Sequence, residues 1–99
     1  MHKFGNLIRE KREEQEMLLR HLSAKLDIDV AVMSKIERGE KLAKREFIEP
    51  LSKIFNIDYD KLTALWLADQ VYEIVENEEQ GLSALKVAEK EIKYTTKKQ

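Results

Sequence analysis

Apolar residues recur at three- and four-residue intervals along much of the chain, which is the spacing of one face of an α-helix. The clearest example is residues 18–39, where two short apolar stripes flank a polar break. The first stripe consists of Leu18, Leu22 and Leu26, and the second of Val32, Met33 and Ile36. Neither segment is long enough to be stable alone, so the pattern predicts two short helices that depend on packing against the rest of the chain.

The break between these two helices has the residues of a tight turn. Asp27 tolerates unusual backbone angles, Ile28 can fill the angle between the helices, and Asp29 suits the N-cap of the second helix. Gly39 then follows a basic last turn and offers a left-handed C-cap. This is the layout of a helix-turn-helix, in which the second helix can enter the major groove of DNA.

Four further helices are predicted by the same periodicity, so the fold class is all-α. Their ranges are 4–15, 44–55, 58–76 and 79–94. Pro50 lies inside the second of them, where it removes a backbone hydrogen bond and predicts a bent or irregular first turn. Residues 95–99 contain no apolar anchor and are predicted to fray.

The composition limits the classes of protein to which the chain can belong. Its 99 residues suit one small domain, or one with an appendage, and the modest core makes oligomerisation an attractive source of stability. Without cysteine there is no disulfide framework. The chain has no membrane-spanning apolar run and no signal-peptide pattern, so we expect a cytoplasmic protein without a membrane partner.

Motifs of enzyme chemistry are absent from the sequence. There is no glycine-rich phosphate loop, no nucleophile and base with an orienting third group, and no cluster with metal-ligand spacing. We therefore expect neither an enzyme nor a cofactor or metal site. The net charge of −1 provides no general attraction to nucleic acid, so any DNA binding has to depend on a local basic patch.

Several motifs in residues 4–66 carry a family resemblance. They are Ile8-Arg9-Glu10 with Arg12, the turn described above, Ile36-Glu37-Arg38-Gly39, and Ile54-Phe55-Asn56-Ile57 followed by Leu62. In this order and spacing they resemble the Cro/repressor-type helix-turn-helix domains of the xenobiotic-response-element (XRE) class. The resemblance implies a five-helix DNA-binding domain over residues 1–66. Residues 67–99 would form an additional C-terminal helical extension that serves as a dimerisation or partner surface.

The resemblance also implies roles for individual residues. The side chains that it places toward the bases are Val30, Ala31, Ser34 and Lys35. Those that it places at the phosphates are Lys41, Lys44 and Arg45, with a further donor from Arg38. At the start of the second helix the chain departs from the family, because Leu18 and Leu19 replace the usual polar residues, and Arg20 is the candidate that takes over the phosphate contact there. It also implies that Arg12 and Glu37 form an ion pair that locks the first helix to the end of the third, which is a structural role.

Val30 and Ala31 are chemically unusual at the leading positions of a recognition helix, where related proteins tend to have hydrogen-bonding residues. Two interpretations are open. In one, the site is read through the methyl group of thymine or methylated cytosine, through Lys35 at guanine or a phosphate, and through DNA shape. In the other, base readout is weak and the domain acts mostly through partners.

The last two predicted helices carry apolar residues that the DNA-binding domain does not require. We predict a dimer or partner surface formed by Leu67, Val71, Ile74, Val75, Leu82 and Leu85. A second copy of the chain would cover this surface most economically. The alternative is that the C-terminal helix alone covers the stripe within one chain.

Two functions follow from these observations. The first is a transcriptional regulator, a repressor or an activator, which binds double-stranded DNA as a homodimer on a pseudo-palindromic operator, with recognition helices about 34 Å apart. Its small size resembles the controller proteins of restriction-modification systems. The second is an antitoxin-like or anti-regulator module that binds another protein through its C-terminal helices, with weak or no specific DNA readout. The apolar leading positions favour the second function, and the basic cluster favours the first.

Overall fold

The computed structural model describes residues 2–98, and the chain divides into two compact units between Asp69 and Gln70. The helices are α1 (Lys3–Glu14), α2 (Leu19–Leu26), α3 (Val30–Glu37), α4 (Ile48–Phe55), α5 (Tyr59–Val75) and α6 (Gly81–Lys98). A 3₁₀ turn, Arg45–Phe47, immediately precedes α4. The described residues form no strand, and the predicted all-α class is confirmed.

The core of the N-terminal unit takes one apolar face from each of its five helices. The buried apolar residues are Phe4, Ile8, Leu22, Leu26, Met33, Ile36, Ala43, Ile48, Leu51, Phe55 and Leu62. Except for Ala43, which lies in the loop after α3, they occupy three- and four-residue positions along the predicted helices. Burial of these side chains removes apolar surface from water and is the main force that holds the short helices α2 and α3 in place.

The turn between α2 and α3 has the predicted local structure. Asp27 ends α2 in the left-handed conformation, with φ at 55°, and Ile28 packs against the core. The Asp29 carboxylate caps α3 by accepting a hydrogen bond from the Ala31 N–H at 2.7 Å. At the other end of α3, Gly39 has φ at 76° and donates its N–H to the Ile36 carbonyl. These caps fix both ends of an eight-residue helix.

Gly5 allows α1 to approach the end of α3 closely. A Cβ atom at this position would collide with the backbone carbonyl oxygens of Ile36 and Glu37. The sequence analysis did not identify this requirement, because the glycine lies inside an otherwise ordinary helical pattern.

Pro50 is accommodated in the first turn of α4. It is the third residue of the helix, where its missing N–H would have no intrahelical acceptor in any case. Residues 45–47, just before α4, adopt the 3₁₀ turn, so this part of the chain begins irregularly, as predicted.

The predicted fraying of residues 95–99 is wrong for the described residues, because α6 continues to Lys98. The hydroxyls of Thr95 and Thr96 donate to the carbonyls of Glu91 and Ile92 inside the helix. The segment contains neither glycine nor proline, so no residue there interrupts the helix even without an apolar anchor. Gln99 lies outside the described residues.

The N-terminus of α1 is capped by a residue that is distant in sequence. The Asp69 carboxylate on α5 accepts hydrogen bonds from the backbone N–H groups of Lys3 and Phe4, both at 2.9 Å. His2, at the N-cap position, makes no side-chain capping hydrogen bond. A carboxylate here satisfies two orphan donors and interacts favourably with the helix dipole.

We expect Asp69→Ala to lower the free energy of unfolding by about 1 kcal/mol, because both donors lose their acceptor. Urea denaturation followed by circular dichroism measures this change. Glu73→Ala removes an exposed carboxylate from the same helix and serves as the matched control, with an expected change within about 0.5 kcal/mol. Equal effects of the two substitutions would contradict a capping role for Asp69.

Candidate nucleic-acid interface

The outer face of α3 carries the residues that were predicted to face DNA bases. Val30, Ala31 and Lys35 are exposed, and Ser34 is half-buried. The opposite face of the helix, with Met33 and Ile36, is buried in the core. The helix therefore presents one continuous face to solvent and can enter a groove without unfolding.

Arg12 and Glu37 form a bidentate ion pair that holds this helix in place. The Arg12 Nε donates to Glu37 Oε2 at 2.8 Å, and Nη2 donates to Oε1 at 3.0 Å. The remaining guanidinium nitrogen, Nη1, donates to the carbonyl of Met17 at 2.8 Å. The structure thus brings the two residues together and connects α1, the segment before α2 and the end of α3.

This pair is largely shielded from water. The exposed fraction of the side chain is 13% for Arg12 and 4% for Glu37. The hydrogen bond with Glu37 raises the pKa of the Arg12 guanidinium above its ordinary value, although desolvation acts in the opposite direction. An arginine guanidinium does not lose its proton in a folded protein, so Arg12 always carries the positive charge that this pair requires.

The N-terminus of α2 lacks a side-chain cap. Leu18 occupies the N-cap position in an extended conformation and makes no capping hydrogen bond. Its side chain is 48% exposed, and Arg20 on the first turn is also exposed. The first N–H groups of a helix have no intrahelical acceptors, so this end of α2 offers donors to an anion beside the Arg20 side chain.

We use the name basic loop for residues 38–45, which connect the end of α3 to the 3₁₀ turn. Lys41 and Lys44 are exposed there and, among the described residues, form no ion pair. Arg38 differs, because its Nε donates to the Glu40 carboxylate at 2.7 Å. Of the residues that were predicted to contact phosphates, Lys41 and Lys44 are therefore available, whereas Glu40 partly neutralises the charge of Arg38.

Trp66 on α5 fixes the far end of the basic loop. Its indole Nε1 donates to the Ala43 carbonyl at 2.9 Å, and the Arg45 guanidinium lies over its ring at 5.5 Å from the centroid. Arg45, which was predicted to contact a phosphate, therefore also makes a cation–π contact within the domain. Only the tertiary structure identifies the basic loop as the hydrogen-bond partner of Trp66.

A cavity of about 320 Å³ lies between α3 and the basic loop. Its lining residues are Ile28, Asp29, Val32, Ile36, Lys41, Leu42, Lys44 and Phe47. Leu42 is 54% exposed, and Val32 is half-buried. The surface next to the recognition helix is therefore predominantly apolar, although two lysines line it as well.

The predicted dimer or partner surface is mostly exposed. Val71 and Ile74 are 42% and 74% exposed in the C-terminal unit, so α6 does not cover this stripe within that unit. Leu82 and Leu85 on α6 are also exposed, and Val75 is half-buried. Leu67, which belongs to the N-terminal unit, is 45% exposed.

The part of the chain that the structure describes contains neither a cluster of metal-ligating side chains nor a membrane-spanning helix. Across residues 2–98, histidine and acidic side chains do not gather in groups of three or more that could hold a metal ion. No helix in this range has both the length and the apolar character needed to cross a membrane.

The N-terminal unit contains the part of the chain that matches a known protein family. A family model described as helix-turn-helix matches residues 8–62, which is more than half of the chain. No curated protein and no solved structure matches the chain. The matched range begins in α1, includes α2, α3 and the basic loop, and ends at Leu62 in α5.

Proposed function

We propose that this chain, which belongs to the XRE-type helix-turn-helix family of DNA-binding transcription regulators, acts as a homodimer on a pseudo-palindromic operator. The helix-turn-helix is a DNA-binding regulatory domain rather than a catalytic one. The observation that carries the proposal is the combination of an exposed α3 face with two unpaired lysines, Lys41 and Lys44, in the adjoining loop. This surface can contact base edges and phosphates at the same time.

In the proposed complex, α3 enters the major groove. Its contacts with base edges are made by Val30, Ala31, Ser34 and Lys35. Lys41, Lys44 and Arg20 contact phosphates on either side of the groove. Glu40 partly neutralises the charge of Arg38, and the guanidinium of Arg45 lies over Trp66, so we assign these two arginines a smaller share of the binding energy.

Dimerisation is supported by the apolar residues that α5 and α6 expose. A pseudo-palindromic operator requires two recognition helices about one turn of DNA, or roughly 34 Å, apart. Burial of Val71, Ile74 and Leu82 against a second copy would remove exposed apolar surface from water. We therefore assign residues 67–99 to dimerisation and residues 1–66 to DNA binding.

A second candidate function is a protein-interaction module whose C-terminal helices bind a different chain. The observation that favours it is the apolar character of Leu18, Val30 and Ala31, which make no hydrogen bonds to bases or phosphates through their side chains. The available lysines of the basic loop favour DNA binding instead.

Selection of bound sequences from random duplex DNA tests the proposal, together with titration of the best sequence at several salt concentrations. We expect a two-fold symmetric motif, bound with an affinity that falls as salt rises. Sedimentation of the complex should show two protein chains for each duplex. Binding that is weak and indifferent to sequence would contradict the proposal and direct the search to a protein partner.

A further inference from the structure

The first turn of α3 presents apolar side chains at the end of the helix that would meet base edges. Val30 is 43% exposed and Ala31 is also exposed. Asp29 precedes them, and its carboxylate accepts a hydrogen bond from the Ala31 N–H at 2.7 Å. This carboxylate is engaged in capping and carries no donor. The leading end of the helix therefore has no side-chain hydrogen-bond donor for a base.

Exposed apolar groups also lie in the segments that precede and follow α3 along the chain. Leu18 is 48% exposed at the start of α2, and Leu42 is 54% exposed in the basic loop. Leu42 lines the same cavity as Val32 of α3. Leu42 therefore adds an apolar group beside α3, next to Val32.

The chemistry of the major groove limits what such a surface can recognise. Base pairs present hydrogen-bond donors and acceptors there, and the one apolar group is the C5 methyl of thymine. A valine or alanine side chain placed against a base nitrogen or oxygen would remove water without replacing its hydrogen bond, which is unfavourable. Contact with a methyl group buries apolar surface on both partners and is favourable.

We propose that Val30 and Ala31 recognise the C5 methyl group of a pyrimidine in each half of the operator. This inference rests on the proposed function. Thymine carries the methyl group in ordinary DNA, and 5-methylcytosine carries it in methylated DNA. Lys35 lies one turn further along α3 and supplies the polar contact, to guanine or to a phosphate.

Replacement of thymine by deoxyuridine in the selected operator tests the inference directly, because it removes only the methyl group. We expect the affinity to fall about fourfold for each methyl contact, and about fifteenfold when both half-sites are changed. Duplexes that carry cytosine or 5-methylcytosine at the same position form the second arm. If the duplex with the methyl group binds more tightly in both comparisons, thymine against uracil and 5-methylcytosine against cytosine, the methyl group itself is recognised. The comparison whose duplexes bind more tightly identifies the base that carries this methyl group.

A variant of the protein shows whether Val30 makes this contact. Val30→Ala shortens an exposed side chain, and we expect it to reduce the discrimination between thymine and uracil at the contacted position, while Ala31 preserves part of it. Lys35→Ala is the matched control on the same helix, because it should weaken binding to both duplexes and leave their affinity ratio unchanged. Circular dichroism of both variants verifies that the helices remain folded.

These experiments distinguish a failure of the inference from a failure of the proposed function. If a symmetric operator is found but affinity falls neither when uracil replaces thymine nor when cytosine replaces 5-methylcytosine, the inference is wrong and the proposed function stands. Equal discrimination by the wild-type protein and Val30→Ala would also overturn it. If no specific operator exists, the proposed function and the inference both fail.

Discussion

Glu37→Ala is expected to lower the free energy of unfolding by about 3–5 kcal/mol, because it leaves the Arg12 guanidinium partly buried without its carboxylate. Small domains are typically stable by about 5–15 kcal/mol, so this loss would remove much of the total. Urea denaturation followed by circular dichroism should show a large decrease in the midpoint.

An exposed ion pair in the same unit is the control for this prediction. Glu49→Ala breaks the pair with Lys53, whose atoms lie 3.1 Å apart on the surface of α4, and should cost less than about 1 kcal/mol. In the double variant Arg12→Leu with Glu37→Leu both charges are absent, so we expect it to be more stable than Glu37→Ala. If Glu37→Ala were as mild as Glu49→Ala, the buried pair would not stabilise the domain.

Lys41→Gln combined with Lys44→Gln is expected to lower the affinity for duplex DNA on the order of a hundredfold at low salt. Each lysine that contacts a phosphate contributes about 0.9 to the slope of log affinity against log salt, so the slope should decrease by about 2. Because phosphates carry no sequence information, the loss should be similar for operator and non-operator duplexes. Titrations at several salt concentrations measure both quantities.

Lys86→Gln with Lys90→Gln makes the same change in net charge on exposed positions of α6 and is the matched control. We expect it to leave the salt slope unchanged. Arg45 is not included in the test pair, because its stacking on Trp66 would mix a structural effect with an electrostatic one. An unaltered slope in the Lys41 and Lys44 variant would exclude these two lysines from the phosphate contacts.

The turn between α2 and α3 could be predicted from sequence because its hydrogen bonds join residues close together in the chain. Asp29 caps α3 through the N–H of a residue two positions later, and Gly39 has the positive φ that a left-handed cap requires. The side-chain chemistry of each residue limits its own backbone conformation and that of its nearest neighbours. Such features depend little on the rest of the fold.

The sequence showed only in part which basic residues are available to bind phosphates. Their position after α3 led to the prediction that they contact phosphates, and they are exposed to solvent. Composition did not reveal that Arg38 pairs with Glu40 or that Arg45 stacks on Trp66, because these contacts depend on the path of the basic loop. The available cations are therefore a smaller set than the sequence indicated.

Periodicity and capping act within one or two helical turns, so the helices, the core face of each helix and the caps of α3 can be predicted from the amino-acid sequence. The contacts between groups that are distant in the chain depend on how the helices pack together. Asp69 caps α1 across more than sixty residues, Gly5 admits the end of α3, and Trp66 holds the loop at Ala43. A backbone N–H or carbonyl accepts any suitable partner, so its partner follows from the packing of the whole domain.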